Sequence, residues 1–504
     1  MIGGAFVAWH YQALDLTLTH YDARGHLVVA RRIFDSLTPG WQQIGAVWLP
    51  LPHLLNAIPV QYDPWYRSGA SAVAMSIAAF ATATGAIAAI VLALTGSAWV
   101  AVGAAAVFAL NPNVLYLQST PLTEPLLMAL TTLGIAMLIS DARLKPRAPS
   151  EPRAPSERAN QNGARGKNGA RGFSRAAGWI LALACLTRYE AWPVTACALA
   201  AVVWARWRRG EPLTSALRRV AVIARYPAIA IVGFAIFSRV VIGEWFLERN
   251  FFVPENKALN DPVMAGAEIW WGVRTMSGDV LVVLGGIGAA ILIGIGLFDR
   301  MQGEALIAAS LLATAAIPWG AFYEGHPFRI RYMAPLIVVE AIGTGALAGV
   351  RRYRAAIGLA VLATAAYELR PLDRMAPMVV EAQWDRPNAP ERARVTACLG
   401  QPDSGQKIMA SMGSLGHYMQ EASRAGLAIR DFLHEGNGDI WLAALQNPMP
   451  FAEWILIEEK AEGGDMLARR AREQPAFLAG YSRVCEGAGL ALYVRTGSLP
   501  KTDR

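Results

Sequence analysis

Apolar runs of bilayer length recur along this chain, at residues 68–94, 98–117, 121–140, 221–243, 279–298, 304–322 and 331–350. A hydrocarbon core of about 30 Å takes roughly 20 helical residues at 1.5 Å each, so each run suits a membrane span. Shorter runs at 2–18 and 355–369 extend the series. Residues 176–205 are apolar but interrupted by TRYE at 187–190, which reads as two short helices around a polar turn. The 504 residues alone would suggest several soluble domains. A composition 54% hydrophobic and 17% charged, with mean hydropathy +0.31, overrules that prior. The fold expected is an α-helical polytopic membrane domain of about ten or eleven spans over residues 1–369. After Arg370 the charges mix and short strand-like pieces appear, KIMASMG, AEWILIEE and GLALYVR, so 370–504 is expected to be a small soluble α/β domain.

The charge pattern predicts orientation. The net charge of +8 sits in clusters between apolar runs, which points to membrane topology and away from nucleic acid. Basic loops at 141–175, after 205 and after 350 fall on one side when spans are counted in order, and the positive-inside bias makes that side cytoplasmic. Residues 19–67, 118–123, 187–190, 244–277, 323–330 and the C-terminal domain then lie outside, at the cell (inner or plasma) membrane. Within 141–175 the repeated PRAPSE and the wealth of Pro, Arg, Gly and Asn predict disorder. The start, MIGGAFVAWH, lacks the basic residues of a cleavable signal. Four cysteines are too few for a disulfide scaffold. Cys185 and Cys197 fall in spans, whereas Cys398 and Cys485 fall in an exported domain, where a bond between its two ends is expected. Two separate buried thiols are the alternative.

Four charged motifs gather on the predicted outer side. In THYDARGHLVVARRIF, Leu27, Val28, Ala30 and Ile33 recur at helical spacing, predicting an amphipathic helix on the membrane surface. Asp22 either caps that helix or serves as a proton-accepting carboxylate. In QSTPLTEPLLMAL, Glu124 opens an apolar helix; a carboxylate there complements the helix dipole, but ionisable groups at membrane depth are usually functional. In CLTRYEAWP, Arg188 and Glu190 form a local ion pair or take a functional role. In EGHPFRIRYMAPL, Arg329 and Arg331 suit a phosphate or diphosphate, unless they only snorkel to the interface. Together they suggest acid–base chemistry on an anionic substrate at the membrane surface.

These segments resemble the GT-C superfamily of membrane glycosyltransferases, nearest the branch of protein O-mannosyltransferases and the lipid A aminoarabinose transferase. The resemblance spans roughly residues 15–370 and rests on Asp22 with Ala30-Arg31 nine residues on, and on TPLTEPLL, LTRYEAW and RIRYMAPL. The family often has Asp-Glu where this chain has Asp22-Ala23. The resemblance implies an inverting transfer of a sugar from a polyprenyl-phosphate donor to an unknown glycan, lipid or protein acceptor. Asp22 is then the general base, and Glu124 positions donor or acceptor. Arg31, Arg188, Glu190, Arg329, Arg331, Tyr332 and His53 are the expected donor-phosphate or substrate contacts. No cofactor is called; a divalent metal is left open. Two other function classes remain at this stage: a transporter or lipid flippase, which a broken helix would suit, and a non-catalytic scaffold whose C-terminal domain binds cell-wall components.

Overall fold

The computed structural model describes residues 1–45, 47–143, 174–243, 245, 256–347, 354–399, 407–461 and 464–497. Most of the loop expected to be disordered, 141–175, lies outside the described residues. Among the described residues six helices are long and apolar enough to cross a membrane: Ala70–Thr95, Glu124–Asp141, Leu213–Ile242, Asp279–Phe298, Gly303–Tyr323 and Ile330–Leu347. Ala98–Ala109, Ser174–Cys185 and Ala355–Glu368 are apolar but shorter. The expected count of ten or eleven therefore includes elements that do not reach span length as single helices.

Local chemistry explains the breaks. Helix Ala70–Thr95 runs between Gly69 and Gly96, both with positive φ, a conformation other residues adopt only with strain. The expected span 98–117 is two helices. Asn111 accepts the N–H groups of Asn113 and Val114 and so caps a new helix, with Pro112 at its first position. The run 176–205 does divide at 187–190, and its second half is helix Ala191–Arg208. Helices Asp279–Phe298 and Leu336–Leu347 touch backbone to backbone. A methyl group on Gly288 would collide with the carbonyl of Gly343, and one on Gly343 with that of Gly285. Small residues permit this closeness where lipid provides no hydrophobic drive between helices.

Beyond the last apolar helix lies a five-stranded sheet: β1 (Ile408–Ala410), β2 (Phe432–Leu433), β3 (Trp454–Glu458), β4 (Tyr481–Gly487) and β5 (Leu490–Arg495). Its order is β2-β1-β3-β5-β4. Strand β1 runs parallel to β2 and β3, and β5 antiparallel to β3 and β4. The three strand-like sequences are β1, β3 and β5. Cys398 ends helix Ala389–Cys398 and bonds to Cys485, 87 residues away, with Cα atoms 6.5 Å apart. Cys485 lies within β4, the strand just before the last.

The helix expected on the membrane surface, Tyr21–Arg31, lies in the interior: every residue from Asp22 to Arg31 is buried. Its apolar stripe, Leu27, Val28 and Ala30, shares a core with Leu415, Tyr418 and Met419 of the sheet domain's helix Met412–Ala422. Ala23, one turn before Leu27 on the same face, joins the core of the apolar helices, and Asp22 beside it meets Arg331. The first loop's exposed apolar residues lie further on, at Phe34, Trp41, Leu54, Leu55, Ile58, Tyr62 and Trp65.

Candidate active site

Asp22 sits in the first turn of helix Tyr21–Arg31, but it does not cap it. His20 holds the N-cap, its Nδ1 accepting the Asp22 N–H at 3.1 Å, so the Asp22 carboxylate is left for other partners. Glu124 opens helix Glu124–Arg143. Arg188 and Glu190 occupy the turn between two short helices, and Arg331 lies in the 3-10 turn Ile330–Met333. These four places converge. Arg331 donates Nη2–H to Asp22 Oδ2 and Nη1–H to Glu124 Oε1, the latter at 3.3 Å. Arg188 donates to the same Glu124 oxygen at 2.9 Å and to Glu190 Oε1 at 2.7 Å. The result is one buried line of alternating charge, Asp22–Arg331–Glu124–Arg188–Glu190. The local Arg188–Glu190 pair exists, yet Arg188 also reaches Glu124, so it is a link and not merely a self-contained bridge.

The line has two open valences. Arg331 Nε–H and Glu124 Oε2 are both buried, and among the described residues neither has a hydrogen-bond partner. Buried polar groups are normally satisfied, so each such atom calls for an explanation, and a ligand is one. The Tyr332 ring packs under both guanidiniums, 5.2 Å from Arg331 and 5.8 Å from Arg188, and limits where they can turn. Thr123 accepts a further bond from Arg188 at 3.2 Å.

With this geometry in view, known proteins supply a comparison. No protein-family model matches the sequence, and no curated protein sequence is similar to it. Solved structures are similar across nearly the whole chain. ArnT from Cupriavidus metallidurans bound to undecaprenyl phosphate is 13% identical, with TM-score 0.53 over 99% of this chain and 98% of that one. The Archaeoglobus fulgidus oligosaccharyltransferase in the apo form is 12% identical, with TM-score 0.56 over 97% of this chain and 74% of that one. The same enzyme tethered with an acceptor peptide aligns at 11% identity and TM-score 0.51, over 93% and 70%. The fold is GT-C.

Not every expected residue joins the charged line. Arg329 lies beside it, its guanidinium 6.0 Å from the Tyr21 ring. Burial first, and then the adjacent Asp22, push the Tyr21 phenol well above its ordinary range, so it stays protonated. Arg31 is elsewhere. It lies nine residues along the helix from Asp22, about 13 Å at 1.5 Å per residue. There it binds Asp35 at 2.8 Å, Asp63 at 2.7 Å and the Val60 carbonyl at 3.1 Å, and stacks over Tyr66. Those contacts fold the first loop, and the expectation that Arg31 meets substrate is not supported by them. His53 pairs with His26 at 3.0 Å, beside the Trp48 ring. Burial pushes His53 down to about 3, so the pair stays uncharged at neutral pH. Among the described residues no three His, Cys, Asp or Glu side chains gather as a metal site would require.

Sequence reasoning did not single out His20, Tyr21 or Thr123, although all three lie inside the motifs it quoted.

Proposed function

We propose that this chain is a glycosyltransferase that moves a sugar from a polyprenyl-phosphate donor to an acceptor hydroxyl at the outer face of the membrane, with inversion. In this reading residues 1–369 are the transferase domain and 370–504 an extracytoplasmic domain braced against it. The observation that carries the proposal is the buried line of five charges from four distant segments, with one donor and one acceptor left open within it. The GT-C fold supports it, as do neighbours bound to undecaprenyl phosphate or tethered with an acceptor peptide.

The chemistry follows from the charges. The acceptor hydroxyl gives its proton to Asp22, and its oxygen forms a bond to the anomeric carbon. The bond from that carbon to the phosphate oxygen breaks, and its electron pair leaves with the polyprenyl phosphate. Arg331, Arg188 and Arg329 face the charge that builds on the leaving phosphate, and Arg331 Nε–H supplies an unspent hydrogen bond to it. Pre-aimed donors of this kind are usually the largest contribution to such a rate. Glu124 holds both guanidiniums in place from the centre of the line, so they need not reorganise during reaction. Tyr332 and Glu190 keep Arg188 from swinging away.

The test uses full-length protein in nanodiscs with a panel of undecaprenyl-phosphate sugars, labelled in the sugar. Release of undecaprenyl phosphate and transfer of label from one donor is the expected result. Passage of intact donor across a vesicle membrane, without cleavage, would replace transfer with transport.

A further inference from the structure

We propose that Glu381 is a positioning residue of the transfer site, which sets the backbones of Asp22 and Arg331 at the distance their ion pair needs; this rests on the transferase reading. Asp22 and Arg331 come from segments 309 residues apart, and a buried pair so assembled needs its two main chains fixed. One carboxylate touches both. Glu381 Oε2 accepts the N–H of Ile330, the residue before Arg331, at 3.1 Å. Its Oε1 lies 3.5 Å from His20 Nε2, a polar contact too long to be a hydrogen bond.

The His20 tautomer makes that second contact directional. Nδ1 accepts the Asp22 N–H, so it carries the lone pair and the ring proton must be on Nε2. That nitrogen is the one that lies 3.5 Å from Glu381 Oε1. The carboxylate thus reaches Asp22 through its helix cap and Arg331 through the adjacent peptide. Glu381 is itself held firmly. It lies on the short helix Pro377–Ala382, is 7% exposed, and its helix is tied to the membrane part where Met378 N–H donates to Asn113 at 2.9 Å. Asn113 donates in turn to the Met276 carbonyl at 2.8 Å.

A carboxylate is required because both partners are donors. Glutamine would offer one oxygen and one NH2 group, and the NH2 would meet either the Ile330 N–H or the His20 Nε2–H. Glu381→Gln is therefore nearly isosteric and yet loses one of the two contacts.

The experiment measures kcat and KM of the full-length protein with an undecaprenyl-phosphate sugar that wild type turns over, alongside melting temperature. Glu381→Gln is expected to lower kcat roughly ten- to hundredfold, the range that a misplacement of about 1 Å produces, with KM for the donor unchanged. His20→Asn keeps a capping oxygen but removes the ring, and is expected to reproduce the loss. In an Asp22→Asn background Glu381→Gln should cost nothing further, because a residue acting through Asp22 has nothing left to position. If Glu381→Ala does not fold, Glu381→Gln decides. A wild-type kcat in Glu381→Gln, or a full further loss on top of Asp22→Asn, overturns the inference and leaves the transferase reading intact. Wild-type protein that turns over no donor in the panel overturns both.

Discussion

Two groups of buried charge flank the helix Tyr21–Arg31, and they are built differently. Asp22 belongs to the open line described above. Arg24, two residues on and so about 200° around the helix, belongs to a closed ring with the segment that follows the last apolar helix. It binds Asp385 at 2.9 Å and Glu421 at 2.8 Å, and Arg392 binds the same two carboxylates at 2.6 and 3.1 Å. In the ring, each carboxylate meets two guanidiniums and the charges balance. In the line, three carboxylates share two guanidiniums, the end carboxylates meet one each, and Glu124 keeps an oxygen bare. The lesson is that burial and ion pairing alone do not mark a reactive site. Both groups keep buried guanidinium N–H groups without a partner among the described residues, at Arg24 Nε and Arg392 Nη2 in the ring and at Arg331 Nε in the line; the line alone of the two also leaves a carboxylate oxygen bare, at Glu124.

The sharpest way to break that contrast is Asp22→Asn. In the proposed transfer Asp22 is the general base, and losing such a base costs about 10²–10⁴ in rate, so transfer should fall by that factor while the melting temperature holds. A protein that instead unfolds would put Asp22 with the structural charges.

Arg24→Gln should show the reverse pattern. Removing one member of a buried ion pair costs about 3–5 kcal/mol, here because Asp385 and Glu421 would keep only Arg392. Chemical denaturation should report that loss, and the protein that remains folded should keep most of its transfer rate. A large fall in kcat at full stability would mean that the ring is part of the site.

The smallest effect is a response to acid. His417, beside the ring, and His434, under the first loop, are both pushed down to about 3, chiefly by burial and then by Arg24 and Arg32 respectively. An unfolded histidine titrates near 6.5. Between these values the unfolded chain holds more protons than the folded one, so stability rises with pH across the window and is lost as pH falls through it. Glu458, raised to about 7 mainly by burial, opposes them between roughly 4.5 and 7. Melting temperatures of the full-length protein from pH 7 to pH 4 should therefore decline, most steeply below pH 5, where Glu458 no longer offsets the histidines. A flat profile would show that these imidazoles are not held neutral.

The line of charge was legible in the sequence and the ring was not, for one physical reason. Glu124, Arg188 and Arg331 interrupt apolar runs, where a charge is costly and therefore conspicuous. Arg24, Asp385, Arg392 and Glu421 lie in polar stretches, where a charge is ordinary until its partner is known. Apolar spacing identified the helix Tyr21–Arg31 but assigned its stripe to lipid. The stripe is real; the surface it meets is Leu415, Tyr418 and Met419, and periodicity cannot tell a bilayer from a neighbouring domain. Strands β1, β3 and β5 announced themselves through β-branched and aromatic residues. Strand β2 has two residues, and β4, YSRVCEG, has little apolar character, so neither carried a pattern to read.

The burial of helix Tyr21–Arg31 also imposes an order on biosynthesis. Its outer side is covered by residues made last: Glu421, which Arg24 binds, follows it by 397 positions. At about 5–20 residues per second, a ribosome needs on the order of 20–80 s to cover that distance. Until then the nascent chain holds Asp22 on a helix with one side bare and its cap unsupported by Glu381. The apolar helices can therefore insert and pack before the helix that carries Asp22 receives its last partners.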